Sequence, residues 1–258
     1  MSAQPSTDTK RPAISETMDV LLNRVSVRKY RDEPVSDEVL NALLQASFRA
    51  PTSSNIQAYS VIVVRDPAIK EKIAAAAGNQ QHIIDCPVWL GFCADLTRIE
   101  HAMQGNDHKL GTNNLEMGLV SSIDASLVGM STYLAADSVG LKGVMIGAVR
   151  NKPDEVGAIL GLPSRVFCVF GLCLGYADEV PAQKPRMDFN AIVHRDQFDS
   201  DKMSDLVKQY DDALAAHYRG EGRTTNDNSW TNEVDAKFSP QPRAALRETL
   251  ARMGFDFA

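Results

Sequence analysis

Residues 36–65 read SDEVLNALLQASFRAPTSSNIQAYSVIVVR, and the order of textures in this stretch sets the expectation for the rest of the chain. Ser36 followed by Asp37 and Glu38 offers a side-chain acceptor and an acidic first turn, the marks of a helix start. Behind it Val39, Leu40, Leu43, Leu44 and Phe48 recur on one side at helical spacing. From Pro51 to Gln57 the residues are small and polar, with hydroxyl and amide groups close to the backbone. A plain turn accounts for them as well as a binding loop does. Tyr59 to Arg65 is then β-branched and bounded by turns, as a buried strand is.

Outward from this stretch, strands and helices keep mixing without a fixed rhythm. Asp66-Pro67 starts a helix that runs through Ala77. Val88 to Ala94 is a second apolar strand, and Val166 to Leu174 a third, longer one. Between them Glu116 to Val139 reads as one long helix, ended by Gly140 as a helix C-cap should be. Many of its residues are small, among them Gly118, Ser121, Ser122, Ala125, Ser126, Gly129, Ser131, Ala135 and Ala136. That composition predicts close approach of another backbone, at the centre of the fold or in a subunit interface. Pro153 begins a short helix closed by Gly161, and upstream Met18, Leu21, Leu22 and Val25 have helical spacing.

Irregular linkers and the lack of a βαβ repeat point to an α+β class. The expected form is a three-layer α/β arrangement, a mixed, largely antiparallel sheet flanked by helices. After Gly175 the chain turns polar and proline-punctuated, from Tyr176 to Phe198. Amphipathic helices are expected near Ser204–Arg219 and Pro240–Arg252, separated by a polar loop from Gly220 to Asn232. The expected organisation is a flexible arm over residues 1–13, a main domain over 14–199, and a helical extension over 200–258 wrapping a partner subunit.

Composition narrows the function classes. The 258 residues are 44% hydrophobic and 23% charged, enough for one sizeable core. A net charge of -6 disfavours nonspecific nucleic-acid binding, though a local basic pocket can still hold a phosphate. Met1 to Ala13 lacks the apolar run of a signal peptide, and the apolar stretches 88–94 and 166–174 fall short of the ~20 residues that span a bilayer. The expectation is a cytoplasmic protein that is not embedded in a membrane. Cys86, Cys93, Cys168 and Cys173 match no zinc-ribbon or redox spacing and are expected as buried small hydrophobes. Trp89 and Phe92 are expected in the core. His101 and His108 sit in an expected polar loop without regular ligand spacing, so no metal site is expected. No G-x-G-x-x-G follows a strand, and no G-x-x-x-x-G-K-[ST], H-E-x-x-H or G-x-S-x-G occurs. A nucleotide bound here must have its phosphate neutralised by side chains.

Two clusters carry the candidate chemistry. In Arg24-Val25-Ser26-Val27-Arg28-Lys29-Tyr30, extended backbone places Arg24, Ser26 and Arg28 on one side. Two guanidinium groups and a hydroxyl make an anion-binding set, each charge-assisted bond contributing roughly 1.5–3 kcal/mol. A solvated basic edge has the same composition. The second cluster is Ala50-Pro51-Thr52-Ser53-Ser54-Asn55-Ile56-Gln57. The two together, in this order, resemble the FMN-dependent nitroreductase family. Gly140 to Gly147, Arg150-Asn151, Phe170 to Tyr176 and Lys184-Pro185-Arg186 resemble its larger flavin-reductase branch, the oxygen-insensitive nitroreductase A type. The similarity runs from Arg24 to Arg186, and more loosely to Trp230.

The resemblance implies a homodimeric FMN oxidoreductase that takes hydride from NADPH or NADH and relays it, ping-pong, to a nitroaromatic, quinone or flavin. It implies that Arg24 and Ser26 contact the FMN phosphate and ribityl chain, joined by Lys184 and Arg186. Arg28 would lie near N1 and O2 of the ring, where a fixed cation favours the reduced state. Ser53, Ser54, Asn55 and Gln57 would line the ribityl and pyrimidine side, some of them across the dimer. Gln80, Gln81 and His82 would reach the flavin edge, and backbone N–H groups of Ile146, Gly147 and Ala148 would face N5 and O4. The cofactor carries the chemistry, so no side chain is assigned as a catalytic acid or base.

Three positions depart from the family pattern. Val25 stands where a second basic residue is frequent, and Met145 where relatives often carry an aromatic. Asn226 and Asp227 lie where NADPH-preferring relatives often have an arginine pair, which leaves the choice of nucleotide open. The rival readings are a flavin-fragmenting or dehalogenating member of the superfamily, and an FMN-binding protein without turnover.

Overall fold

The structure, a computed structural model, describes residues 15–110, 115–225 and 229–257. The expected N-terminal arm and the pair Asn226 and Asp227 lie outside the described residues. The chain divides into two compact units, one running to Pro181 and resuming at Ala245, the other Ala182–Ala244.

The first unit contains α1 (Glu16–Asn23), α2 (Asp37–Ser47), β1 (Tyr59–Val64), α3 (Pro67–Ala76), α4 (Gln81–Asp85) and β2 (Val88–Asp95). It continues with α5 (Thr97–Gln104), α6 (Leu115–Ser138), β3 (Lys142–Ile146), α7 (Pro153–Leu160) and β4 (Val166–Gly175). The second unit holds α8 (Met203–Gly220) and α9 (Ser229–Phe238), and α10 (Leu246–Arg252) belongs to the first. Helix starts follow local chemistry. Ser36 Oγ accepts from Val39 N at 3.2 Å, and the Asp66 carboxylate accepts from Ala68 N and Ile69 N ahead of α3.

The four strands lie in the order β1-β2-β4-β3, each pair antiparallel. A parallel bridge from Ser26 to Gly143 lays the segment around Arg24–Arg28 along the free side of β3. Both faces of the sheet are covered. Val88, Leu90 and Phe92 join Leu40, Leu43 and Val128 in one core, under α2 and α6. Trp89 and Cys93 join Ile73, Val149 and Val156 in the other, under α3 and α7. β2 is therefore buried at every residue, and each large apolar side chain so enclosed contributes roughly 1.5–3 kcal/mol. The three-layer expectation holds, and the four cysteines are buried free thiols.

α6 meets expectation at its end and in the burial of one face, and departs from it in what its small residues meet. Gly140 takes φ 85° and Leu141 N donates to Ala136 O at 3.0 Å, closing the helix. Its small residues receive aromatic rings where another backbone was expected. A Cβ on Gly129 would strike the Phe170 ring, and one on Gly118 the Phe257 ring. By length and composition α6 is apolar enough to cross a membrane, yet one face packs on the sheet and buries Asp124.

Four other expectations are revised. β3 is a strand where only a glycine-bearing segment was read. A Cβ on Gly143 would fall on the Cys173 carbonyl oxygen, so close strand pairing requires glycine there. His101 lies in α5, outside any loop. The polar loop after α8 ends early, because α9 begins at Ser229. The buried Asp211 carboxylate on α8 accepts from Trp230 N and Thr231 N, both at 2.8 Å, and so caps α9 from another helix. The last helix starts only at Leu246, since Arg243 takes left-handed backbone at φ 52° just ahead of it.

Candidate functional site

α1 ends at Asn23, and Arg24 turns the chain extended at φ −63°, ψ 137°. Val27 N donates to Gly143 O at 2.9 Å, with the Val27 side chain fully buried. Arg24 and Ser26 are half-buried and Arg28 exposed; Arg24 Nη2 donates to Ser26 Oγ at 3.4 Å, so these two groups share a side as predicted. Beneath them stands Tyr133 of α6. Its ring centroid lies 4.9 Å from the Arg24 guanidinium carbon. Its hydroxyl reaches Val25 O at 2.6 Å and Gly143 O at 2.9 Å. Burial pushes the Tyr133 phenol pKa up, against a smaller opposing effect of Arg24, so the hydroxyl remains a donor.

Arg28 and His82 also come together. Burial, and next the Arg28 charge, hold the His82 imidazole below its ordinary pKa. His82 Nε2 is buried without a hydrogen-bond partner among the described residues. Its short helix α4 has Gln80 at the N-cap and is tied at the far end by Lys70, whose ammonium donates to Ile84 O at 2.8 Å and Cys86 O at 2.6 Å. Gly78 and Asn79, at φ 82° and 58°, make the sharp turn into this segment. A Cβ on Gly78 would meet Asn151 Nδ2 at 3.9 Å, which sets the 78–82 segment against the turn that follows β3. In that turn Ile146 is buried, Gly147 and Ala148 are half-buried, and Arg150 donates to Val169 O. Met145 precedes it, 39% exposed.

The turn from Ser53 to Gln57 forms a separate cluster. Ser54, Asn55 and Gln57 all take left-handed backbone, at φ 47°, 57° and 55°. Such conformations cost of order 1–3 kcal/mol each in non-glycine residues and persist only where the surroundings impose them. Here a fully buried carboxylate imposes them. Asp124 accepts from Ser53 N at 2.9 Å and from Ala58 N at 3.1 Å, bracketing the turn. Arg98 donates to Gln57 O at 3.1 Å and to Tyr59 O, and is itself held by Asp95 at 3.1 Å. Among the described residues no hydrogen bond or ion pair joins this turn to Arg24, Ser26 or Arg28.

Lys184 and Arg186 belong to the second unit. Lys184 Nζ donates to Tyr218 OH at 2.9 Å and lies 4.8 Å from that ring's centroid, while Arg223 stacks on the same ring at 4.0 Å. Arg186 donates to the Lys184 and Pro185 carbonyls, folding the loop on itself.

Asp124, Arg98, Tyr133 and Tyr218 were not singled out from sequence. Asp124 had a readable signal, a carboxylate in the middle of an apolar, small-residue helix. The tyrosines had none, because their roles depend on segments far away in the chain.

None of Arg24, Arg28, Lys184 and Arg186 is in a salt bridge among the described residues, unlike Arg65, Arg98, Lys142 or Arg165. Cations kept free of carboxylates, a buried imidazole nitrogen without a partner, and a glycine turn beside it suit a flat heterocycle carrying a phosphate. The description "Nitroreductase family" matches residues 21–176 and "Nitroreductase family, C-terminal domain" matches 184–258, and the chain belongs to the nitroreductase family. It is 32% identical to the NADPH-flavin oxidoreductase of Vibrio harveyi, over 93% of this chain and 98% of that protein. It is 34% identical to an FMN reductase [NAD(P)H] of Bacillus subtilis, over 94% and 98%. The solved structure of NfrA2 from B. megaterium superposes with a TM-score of 0.91 at 36% identity, covering 95% of this chain and 99% of that one.

Proposed function

We propose that the protein is an FMN-dependent NAD(P)H oxidoreductase that passes electrons to nitroaromatic, quinone or flavin acceptors, as a cytoplasmic homodimer. The observation that carries the reading is the pair of cations without carboxylate partners among the described residues, Arg24 and Arg28, on the segment bridged to β3. Arg24, Ser26, Lys184 and Arg186 hold the dianionic FMN phosphate and the ribityl chain. When bound, FMN supplies two-electron exchange as hydride at its ring nitrogen N5. The Arg28 guanidinium holds positive charge where negative charge accumulates. His82, kept neutral by burial and by Arg28, offers its unpartnered nitrogen to the ring edge without adding a second charge. Gln80 lies beside it. Ile146, Gly147 and Ala148 supply backbone donors, and the nicotinamide and the acceptor stack in turn on the exposed ring face. One place serving both substrates in turn makes the kinetics ping-pong.

Ser53, Ser54, Asn55 and Gln57 complete the partner's site. Two observations support this: among the described residues no hydrogen bond or ion pair joins the turn to Arg24, and α6, which holds it through Asp124, carries an exposed apolar stripe. The test is colour. Purified protein is expected to be yellow and to bleach anaerobically with NADH or NADPH, then to recover when a nitroaromatic or quinone is added. Protein that takes up no FMN overturns the reading. Yellow protein that neither nucleotide bleaches points to a binding protein without turnover.

A further inference from the structure

A phosphate-binding arginine faces a positioning problem. Its side chain carries about 2 kcal/mol of rotamer entropy, so an unheld guanidinium is rarely in place when the ligand arrives. A carboxylate would hold it, but would occupy the same bidentate fork that a phosphate needs. An aromatic face attracts the cation and leaves its N–H groups free. Arg24 has this third arrangement. Its guanidinium carbon is 4.9 Å from the Tyr133 centroid, and it has no carboxylate partner among the described residues. The acid one turn further along α6, Asp137, is engaged by Lys142 at 2.6 Å.

Tyr133 also acts on the backbone. Its hydroxyl meets the carbonyl of Val25, the residue after Arg24, and that of Gly143, which also accepts from Val27 N. One residue, only 3% exposed, thus seats the Arg24 side chain and fastens its strand to β3. The second unit repeats the device, with Lys184 over the ring of Tyr218 and bonded to its hydroxyl. We propose that Tyr133 is a positioning residue for the cofactor's phosphate, holding Arg24 by its ring face and the Arg24–Val27 backbone by its hydroxyl. This rests on the assignment of Arg24 to the FMN phosphate.

Riboflavin, which has the same ring and no phosphate, separates positioning from general stability. Apoprotein of the full chain is titrated with FMN and with riboflavin, and the ratio of the two dissociation constants is compared across variants. Arg24→Ala tests the underlying reading: it is expected to weaken FMN about tenfold or more while leaving riboflavin nearly unchanged. An unchanged ratio there means that Arg24 does not hold the phosphate. Tyr133→Leu is expected to cut the FMN preference roughly two- to thirtyfold, the range of a lost cation–π contact. Tyr133→Phe keeps the ring and the core volume and is expected to cut it by a smaller factor, about two- to tenfold. The phenylalanine variant keeps the test decisive should the leucine variant not fold. If Arg24→Ala lowers the ratio while the folded Tyr133 variants keep the wild-type ratio, or lose both ligands equally, Tyr133 is only structural and the proposal fails.

Discussion

His82 is a residue on which burial and a neighbouring charge act in the same direction. Both disfavour its protonated form, so its folded pKa lies below the ordinary value of 6.5. As pH falls below that value the unfolded chain takes up the proton first, and stability falls until the lowered folded pKa is passed. The stabilisation is fully present above about pH 6.5, where neither state is charged. His82→Gln is therefore expected to flatten the acid side of the melting curve, read as Tm at a series of pH values from neutral downward. Equal slopes for variant and wild type would show that the buried imidazole is not a determinant. Asp95 balances opposing effects. Burial pushes its carboxyl up, but hydrogen bonds from Ser60 and Thr97 and the Arg98 charge outweigh this and hold it below the usual range. Arg24, Ser26 and Arg28 were legible in the sequence because alternation in an extended segment is a local property. The partner of Arg24 was not, since Tyr133 lies far along the chain and nothing near it in sequence marks an aromatic seat.

Among the elements, the turn from Ser53 to Gln57 is the one held furthest from its own preference. Three left-handed residues persist because Asp124 takes up both bracketing N–H groups. In Asp124→Asn one carboxylate oxygen becomes a donor facing a donor. The expected cost is about 1–3 kcal/mol, the penalty of an unsatisfied buried group. Thermal unfolding should register it, and amide exchange at Ser53 and Ala58 should quicken more than in β2. Unchanged protection at those two amides would mean that the turn holds itself. The polar composition of this turn was readable, but its strain was not. Local sequence also marked the start of α2, the cap of α3 and the end of α6, each set by residues within one turn. It did not mark β3, whose glycine answers to a carbonyl on β4, or α9, whose cap comes from Asp211 on α8.

At the scale of the whole molecule, the outer face of α6 is unfinished in one chain. Leu115, Leu119, Ile123 and Leu127 follow one another four residues apart, and Leu119 and Ile123 are 48% and 54% exposed. A continuous apolar stripe of this kind marks an association surface. In the homodimer proposed above, Leu119→Glu with Ile123→Glu is expected to give the mass of one chain by light scattering and to lower FMN content. The wild type should give twice that mass. A double variant that remains dimeric would place the interface elsewhere, and a wild type of single-chain mass would overturn the dimer.

The sequence alone determined the starts of α2 and α3, the end of α6, the three long strands, the buried cysteines, and the order of basic and hydroxyl motifs from which family and cofactor were read. All of these are encoded over a few neighbouring residues, by spacing, capping and turn chemistry. The tertiary structure decided which face of α6 is core and which stripe stays exposed. It also decided that small residues there admit phenyl rings, that Asp124 holds the turn, and that Arg24 rests on Tyr133 rather than on an acid. Each of these depends on groups distant in the chain meeting in space, and no local pattern records such a meeting.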